Sequence, residues 1–245
     1  TVLDEPVTVI VSEKGWLRAR QGHEHDVNQF NFKSGDGFYA AYECRSVDTL
    51  IGIGDNGRVY SVPVSSLPSA RGDGQPITAM VDVESGTQIK HIIAGPENSR
   101  WLLVQSSGLG FSAKISDMMS RQRAGKHFIN LEDKTQILRP VALPENTQYL
   151  AMLSKGNRFL VIDIQEVKAL SGGGRGTILM TFDAKDTFAQ VLAVSEQGIM
   201  ATGVYRNKTV EDLIALGDLQ EYMGKRARKG KALSLRMKQA TLLPL

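Results

Sequence analysis

Four short loops mix glycine with cations: Arg71-Gly72-Asp73-Gly74, Arg121-Gln122-Arg123-Ala124-Gly125-Lys126, Gly172-Gly173-Gly174-Arg175-Gly176, and Lys225 to Lys231. Aligned on Gly74, Gly125, Gly176 and Gly230, they recur at steps of 51, 51 and 54 residues. Long cationic side chains on loops that can follow a curved backbone suit phosphate, and arginine adds a fork matched to phosphate oxygens. One such loop would read as a solvated turn; recurrence at one repeat position favours contact with a phosphate backbone. The candidate contacts are Arg121, Arg123 and Lys126, then Arg175, then Lys225, Arg226, Arg228 and Lys229. Arg18 and Arg20 follow the first turn of the chain, and Arg206 and Lys208 follow the last, as second-rank candidates. Arg45 and Arg100 lie at repeat junctions, where a charge is expected to pair locally.

Other chemistries are less well supported. His23-x-His25-x-Asp26 offers metal-type side chains, but zinc wants a third or fourth ligand from elsewhere, and a solvated loop is the better reading. Gly172 to Gly176 lacks the Lys-Ser or Lys-Thr pair and the following helix of a nucleotide-phosphate loop, and Gly108-Leu109-Gly110 lacks the third glycine of a dinucleotide fingerprint. The histidines are His23, His25, His91 and His127, and no Ser-His-Asp order stands out, although triads are recognised by geometry and not by order.

The loops need elements to hold them, and these also repeat. TVIVSEKGWLRA at Thr8, LIGIGDNGRVYS at Leu50, LLVQSSGLGFSA at Leu102, LAMLSKGNRFLV at Leu150 and VLAVSEQGIMAT at Val191 each join two apolar runs through a polar tetrad. The tetrads end at Gly15, Gly57, Gly108, Asn157 and Gly198, at steps of 42, 51, 49 and 41. Two antiparallel strands joined by a tight turn explain this grammar, with a final position at positive φ that glycine takes freely and asparagine tolerates. Two features sharing one period mark a five-fold repeat architecture, with repeats over about 6–46, 47–96, 97–145, 146–185 and 186–245 in a single domain, residues 1–245. Further strands are expected at Phe38–Glu43, at Ile77–Val83 and Thr87–Ile93 as a hairpin, at His127–Leu131, Gln136–Ala142 and Thr177–Phe182, and at Ala232–Met237 and Ala240–Leu243. The distance from Gly198 to Gly230 is 32 residues against 17 from Gly108 to Gly125, which predicts an insertion. Thr209-Val210-Glu211-Asp212 could cap a short helix there, with Val210, Leu213, Ile214 and Leu219 near helical spacing.

Net charge is +3 but uneven: residues 1–100 carry −4 and residues 101–245 carry +7. From Tyr222 onward there are seven cations and no acid, an asymmetry that points to a polyanionic partner. A lone Cys44 excludes an internal disulfide and fits a reducing compartment. No apolar stretch approaches the roughly 18 residues of a membrane span. The start carries no initiator Met and no signal-like segment, which reads as a piece of a longer chain.

The strand–SxxG–strand repeat with its basic glycine loop resembles, over essentially the whole chain, the C-terminal domains of type IIA DNA topoisomerase A subunits. The resemblance implies an all-β, five-bladed β-pinwheel: a propeller-like ring of four-stranded antiparallel blades with strand exchange between neighbours. The unequal repeats leave its closure open, with a gap between first and last blades as one outcome. Gyrase A subunits carry a Gln-Arg-Arg-Gly-Gly-Arg-Gly box; residues 121–126 are the nearest match and residues 172–176 a partial echo, so gyrase-like chiral wrapping is not implied. Five repeats in place of six suit the topoisomerase IV branch. The family's catalytic tyrosine follows an arginine, as none of Tyr39, Tyr42, Tyr60, Tyr149, Tyr205 or Tyr222 does. No catalytic residue, metal or cofactor is therefore expected in this domain; ATP and magnesium would act through other regions of the holoenzyme. The implied role is an accessory module that captures and bends double-stranded DNA for a catalytic core elsewhere. Its implied partners are the remainder of the A subunit, together with B subunits, in a heterotetramer. The implied location is cytoplasmic and nucleoid-associated, membrane-peripheral only through the holoenzyme. A propeller-like protein-docking platform, for example for a bacterial condensin hinge, is the alternative.

Overall fold

The structure, a computed structural model, describes residues 1–245. Its first sheet is built on a hairpin, β1 (Pro6–Ser12) and β2 (Trp16–Gln21), with β3 (Phe38–Arg45) on the far side of β1. The same triple recurs as β4 (Thr49–Gly54) and β5 (Arg58–Pro63), flanked after an intervening two-residue strand β6 (Gln75–Pro76) by β7 (Ile89–Gly95). β6 does not join this second sheet. It pairs with β2 and completes the first, giving the order β3-β1-β2-β6.

The exchange repeats down the chain. The third sheet holds β8 (Arg100–Val104) and β9 (Leu109–Lys114), and β10 (Lys126–His127) leaves it to pair with β5. After β11 (Val141–Leu143), the fourth sheet is built on β12 (Tyr149–Ser154), β13 (Arg158–Asp163) and, beyond β14 (Thr177–Ile178), β15 (Phe188–Val194); β14 completes the third sheet against β9. The fifth contains β16 (Ile199–Tyr205), β17 (Lys208–Ile214) and, after β18 (Lys231–Ala232), β19 (Lys238–Pro244), while β18 crosses to β13. Four sheets thus have four strands. The fifth has three, in the order β17-β16-β19, because the fourth strand always comes from the following repeat and residues 1–245 hold no sixth. No ladder joins the fifth sheet to the first.

Two compact units divide the chain. Residues 1–99, 113–131 and 171–174 form one, which carries the first two sheets. Residues 100–112, 132–170 and 175–245 form the other, built on the last three. The leading strands of the first four sheets, β1, β4, β8 and β12, are buried on both faces and so read as near-unbroken apolar runs; β4 is buried at all six positions. In the first unit, Val9, Leu17, Leu50, Tyr60, Ile77, Val81 and Ile92 share one core. In the second, Leu102, Leu150, Leu160, Leu179 and Phe188 share another, and Phe159, Val194, Ile199, Tyr222 and Leu242 a third, where the Phe159 and Tyr222 rings meet edge-on at 5.1 Å.

Several expected strands are shorter or absent. Ile77–Ala79 is a 3-10 turn, not the start of a strand, and β7 pairs with β4, so the Ile77–Val83/Thr87–Ile93 hairpin does not form. Residues 126–131, 177–182 and 231–237 each form a ladder of only two residues, with isolated bridges added at Ile129 and Met180. The cause is shared: the next apolar side chain, at Ile77, Phe128, Leu179 or Leu233, turns into the core, and burying it is worth roughly 1.5–3 kcal/mol. The helix expected at Thr209–Asp212 is strand β17, entered through Arg206 and Asn207 at φ 50° and 64°, as a two-residue hairpin loop requires. The helical turn comes later, at Leu216–Leu219.

That hairpin also corrects the fifth repeat. All five tetrad ends take positive φ, from 68° at Asn157 to 110° at Gly108. The Gly198 turn, however, joins β15 of the fourth sheet to β16 of the fifth, and the tetrad equivalent is Asn207. SEQG satisfies the same turn chemistry at a junction, which hid the shift, and the apparent insertion before Gly230 shrinks accordingly.

Candidate nucleic-acid interface

Each basic loop is clamped at both shoulders onto the second strand of the preceding repeat. Ahead of the loops, Ser69, Ala169 and Met223 bridge in parallel to Ala19, Ser112 and Val161, and Ser120 exchanges hydrogen bonds of 2.7 and 2.9 Å with the Ser61 hydroxyl. Behind them, the N–H groups of Ile77, Ile129, Leu179 and Leu233 donate to the tetrad carbonyls of Gly15, Gly57, Gly108 and Asn157 at 2.8–2.9 Å. Gly74, Gly125, Gly176 and Gly230 hold φ between 65° and 86°, and a Cβ at any of them would collide with the carbonyl oxygen of Leu17, Val59, Gly110 or Phe159. Glycine is therefore demanded twice, by backbone conformation and by close approach. The sequence repeats at 51, 51 and 54 because this clamp repeats.

The loops also touch what lies behind the preceding loop. The N–H groups of Asp82, Asn130 and Thr181 donate to the carbonyls of Arg123, Gly174 and Arg228 at 2.9, 3.0 and 3.0 Å.

The candidate cations divide by what they meet. Arg121, Lys225 and Arg228 are exposed and no hydrogen bond or ion pair engages their side chains; Arg20 and Lys208 share that state. Arg206, also exposed, sits over the Tyr205 ring at 5.1 Å. Arg123, Arg175 and Lys229 are exposed but paired, with Asp82 at 3.4 Å, Glu132 at 3.5 Å and Asp183 at 2.7 Å. The Lys229 hydrogen bond holds the Asp183 carboxyl below the usual carboxylate range, assisted by the Lys229 charge. Two candidates are tied down. Lys126 Nζ donates to the Asp117 carbonyl at 2.8 Å and lies over Phe128, and Arg226 Nη1 donates to the Ile178 carbonyl at 3.2 Å while its backbone N–H meets Glu166.

Arg18 is a different kind of residue. It is only 7 % exposed, donates to the carbonyls of Gly72 (2.9 Å) and Asn31, and stacks on Phe32 at 5.1 Å. Burial pushes its pKa down and the Asp73 carboxylate opposes the shift. A guanidinium spent on two carbonyls and a ring is a brace for the first basic loop and not a contact for an outside phosphate. Strand alternation gave no warning of this, since β2 buries both Leu17 and Arg18 in succession. Arg45 and Arg100 pair locally as expected, with Asp4 at 2.5 Å and with the Ser112 hydroxyl at 3.2 Å. The His-x-His loop is likewise structural: His23 Nε2 lies 2.8 Å from the Cys44 carbonyl and His25 Nε2 2.7 Å from that of Gln21.

No helix is long and apolar enough to cross a membrane. The family model described as the DNA gyrase C-terminal domain, a β-propeller, matches residues 48–85 and 148–195. The A subunit of DNA topoisomerase 4 from Haemophilus influenzae is 32 % identical over 236 residues, covering 94 % of this chain and 31 % of its own length. The Escherichia coli K12 protein of the same name is 29 % identical over 92 % of this chain and 30 % of its own length. This chain thus spans about a third of the curated relatives it matches. Among solved structures, the E. coli ParC C-terminal domain superposes with a TM-score of 0.80 at 26 % identity, over 97 % of this chain and 98 % of that one. The DNA gyrase A C-terminal domain, at 18 % identity and a TM-score of 0.65, shares the fold over 98 % of this chain and 83 % of its own. A five-bladed β-propeller with exchanged strands, not closed by hydrogen bonds, the chain belongs to the family of C-terminal domains found in the A subunits of DNA gyrase and topoisomerase IV.

Proposed function

We propose that the domain is the duplex-binding accessory module of a topoisomerase IV A subunit, holding and bending DNA while a catalytic core elsewhere passes one duplex through another. The observation that carries this reading is the clamped glycine loop, repeated on successive sheets, which presents Arg121, Lys225 and Arg228 to solvent without a protein partner. A loop fixed at both shoulders has its backbone ordered before binding, so only side-chain ordering opposes phosphate contact. The +7 balance of residues 101–245 adds long-range attraction for a polyanion. The partners of this reading are double-stranded DNA, the remainder of the A subunit, and B subunits. The site of action is the cytoplasmic nucleoid, and no cofactor belongs to the domain itself.

Binding through phosphates is weakly sequence-selective and falls steeply with salt, by about 0.9 in log affinity per log salt for each phosphate neutralised. A salt titration of binding to duplexes of unrelated sequence tests it. The expected result is similar affinity for all of them, with a slope of several units. A chain that binds no duplex even at low salt would be a protein-docking platform instead.

A further inference from the structure

In three successive repeats, one cation of the basic loop meets a carboxylate from the segment behind the preceding loop: Arg123 with Asp82, Arg175 with Glu132, Lys229 with Asp183. The acids follow the loop glycines Gly74, Gly125 and Gly176 by eight, seven and seven residues, so they occupy nearly the same place in the repeat. All six side chains are between 44 % and 66 % exposed. Pairs this exposed contribute little to folding, and the loops are already held by the glycine contacts and backbone hydrogen bonds. A recurring contact that the fold does not need calls for another role.

We infer that Asp82, Glu132 and Asp183 are built-in competitors for phosphate that set how tightly, and up to what salt, the domain holds a duplex. This rests on the duplex-binding reading and names the residues that tune it. Each acid occupies the cation that a phosphate oxygen would take, and stays beside the bound backbone as a negative charge, which only at Asp183 keeps a second partner, Arg158 at 3.8 Å. Apart from the tied-down Lys126 and Arg226, the candidate loop cations therefore fall into two groups: Arg121, Lys225 and Arg228 are free for the first encounter, while Arg123, Arg175 and Lys229 transfer from carboxylate to phosphate once the duplex is in place. Part of the attraction is cancelled in advance, which keeps the grip reversible.

The test compares the chain with a triple variant, Asp82→Asn, Glu132→Gln and Asp183→Asn, and with a charge-matched control, Glu5→Gln, Glu196→Gln and Glu211→Gln. The control residues are exposed and engage no loop cation. Duplex affinity is measured from low to high salt, and thermal unfolding alongside it. The first variant should bind about tenfold tighter or more, with a slope steeper by between about 1 and 3 units, at about 0.9 for each additional phosphate neutralised, and the control should change less than about threefold. Equal effects in the two variants, or weaker binding by the first, would overturn the inference while leaving the duplex-binding reading intact. Absence of binding by the chain and both variants at low salt would remove both. Asp183→Asn alone, which frees Lys229 and the more distant Arg158 with one conservative change, provides the same readout should the triple variant unfold.

Discussion

Arginine stands in two opposed settings in this domain, and geometry tells them apart. Arg121 and Arg228 project from clamped loops with nothing to hold them; Arg18 is spent on the Gly72 and Asn31 carbonyls. Replacing Arg121 and Arg228 together by alanine should reduce affinity for every duplex alike and lower the salt slope by about 1.8, two contacts at roughly 0.9 each, with the melting temperature unchanged. Arg18→Ala should do the reverse, costing about 1–3 kcal/mol because two carbonyls lose their donor, seen as a lower denaturant midpoint with an unaltered slope. Cys44 gives a pH signature. Burial, reinforced by Asp48, pushes its thiol up to about 12, so the folded state holds this proton more tightly than the unfolded one. Its contribution is complete below the ordinary thiol value and is lost as pH rises through the window up to about 12. Alkaline unfolding measured beside Cys44→Ala should show a shallower decline for the variant between those limits, and an equal decline would assign the loss to other groups.

At the level of elements, the glycines of the basic loops are where conformation and contact agree. Gly176 has φ 78° and its missing Cβ would strike the Gly110 carbonyl, whereas Gly172, four residues earlier, faces open space. Gly176→Ala should therefore destabilise by more than about 1 kcal/mol, with duplex affinity falling as the loop loosens, and Gly172→Ala should be close to neutral in both chemical denaturation and binding. Turn positions of this kind were legible in the sequence, since few residues tolerate positive φ and those that do were spaced by the repeat. The paired hairpin strands were legible for the same reason: long apolar runs flank each tetrad. Two-residue donated strands were not, because two residues carry no period and their pairing partner lies in another repeat. The fifth repeat was misplaced by a turn at Gly198 whose local chemistry equals that of a tetrad, although Asn207, like Asn157, carried the correct signal. For the loop cations, residue type and loop position were visible; which of them meets an acid was not, since Asp82, Glu132 and Asp183 sit 41 to 46 residues from their partners.

For the whole molecule, the proposed role is holding a duplex, with breaking and rejoining of a strand left to a catalytic core elsewhere. The chain should neither cleave nor relax supercoiled DNA, with or without ATP and magnesium; cleavage abolished by changing one of its six tyrosines would contradict the accessory reading. The exchanged strands have a further consequence, for the tempo at which the protein is made. The first sheet has its own three strands once Arg45 is synthesised but receives β6 only at Gln75–Pro76, and the second waits from Gly95 to β10 at Lys126–His127. At roughly 5–20 residues per second, each sheet leaves the ribosome with one edge bare for seconds, and on a crowded polysome the nearest complementary strand can belong to another nascent chain. The fifth sheet keeps such an edge at β17, where Lys208 and Glu211 provide the exposed charges that discourage pairing with a stranger. A slower stretch of translation just after each donated strand would give the nascent chain time to pair with itself first.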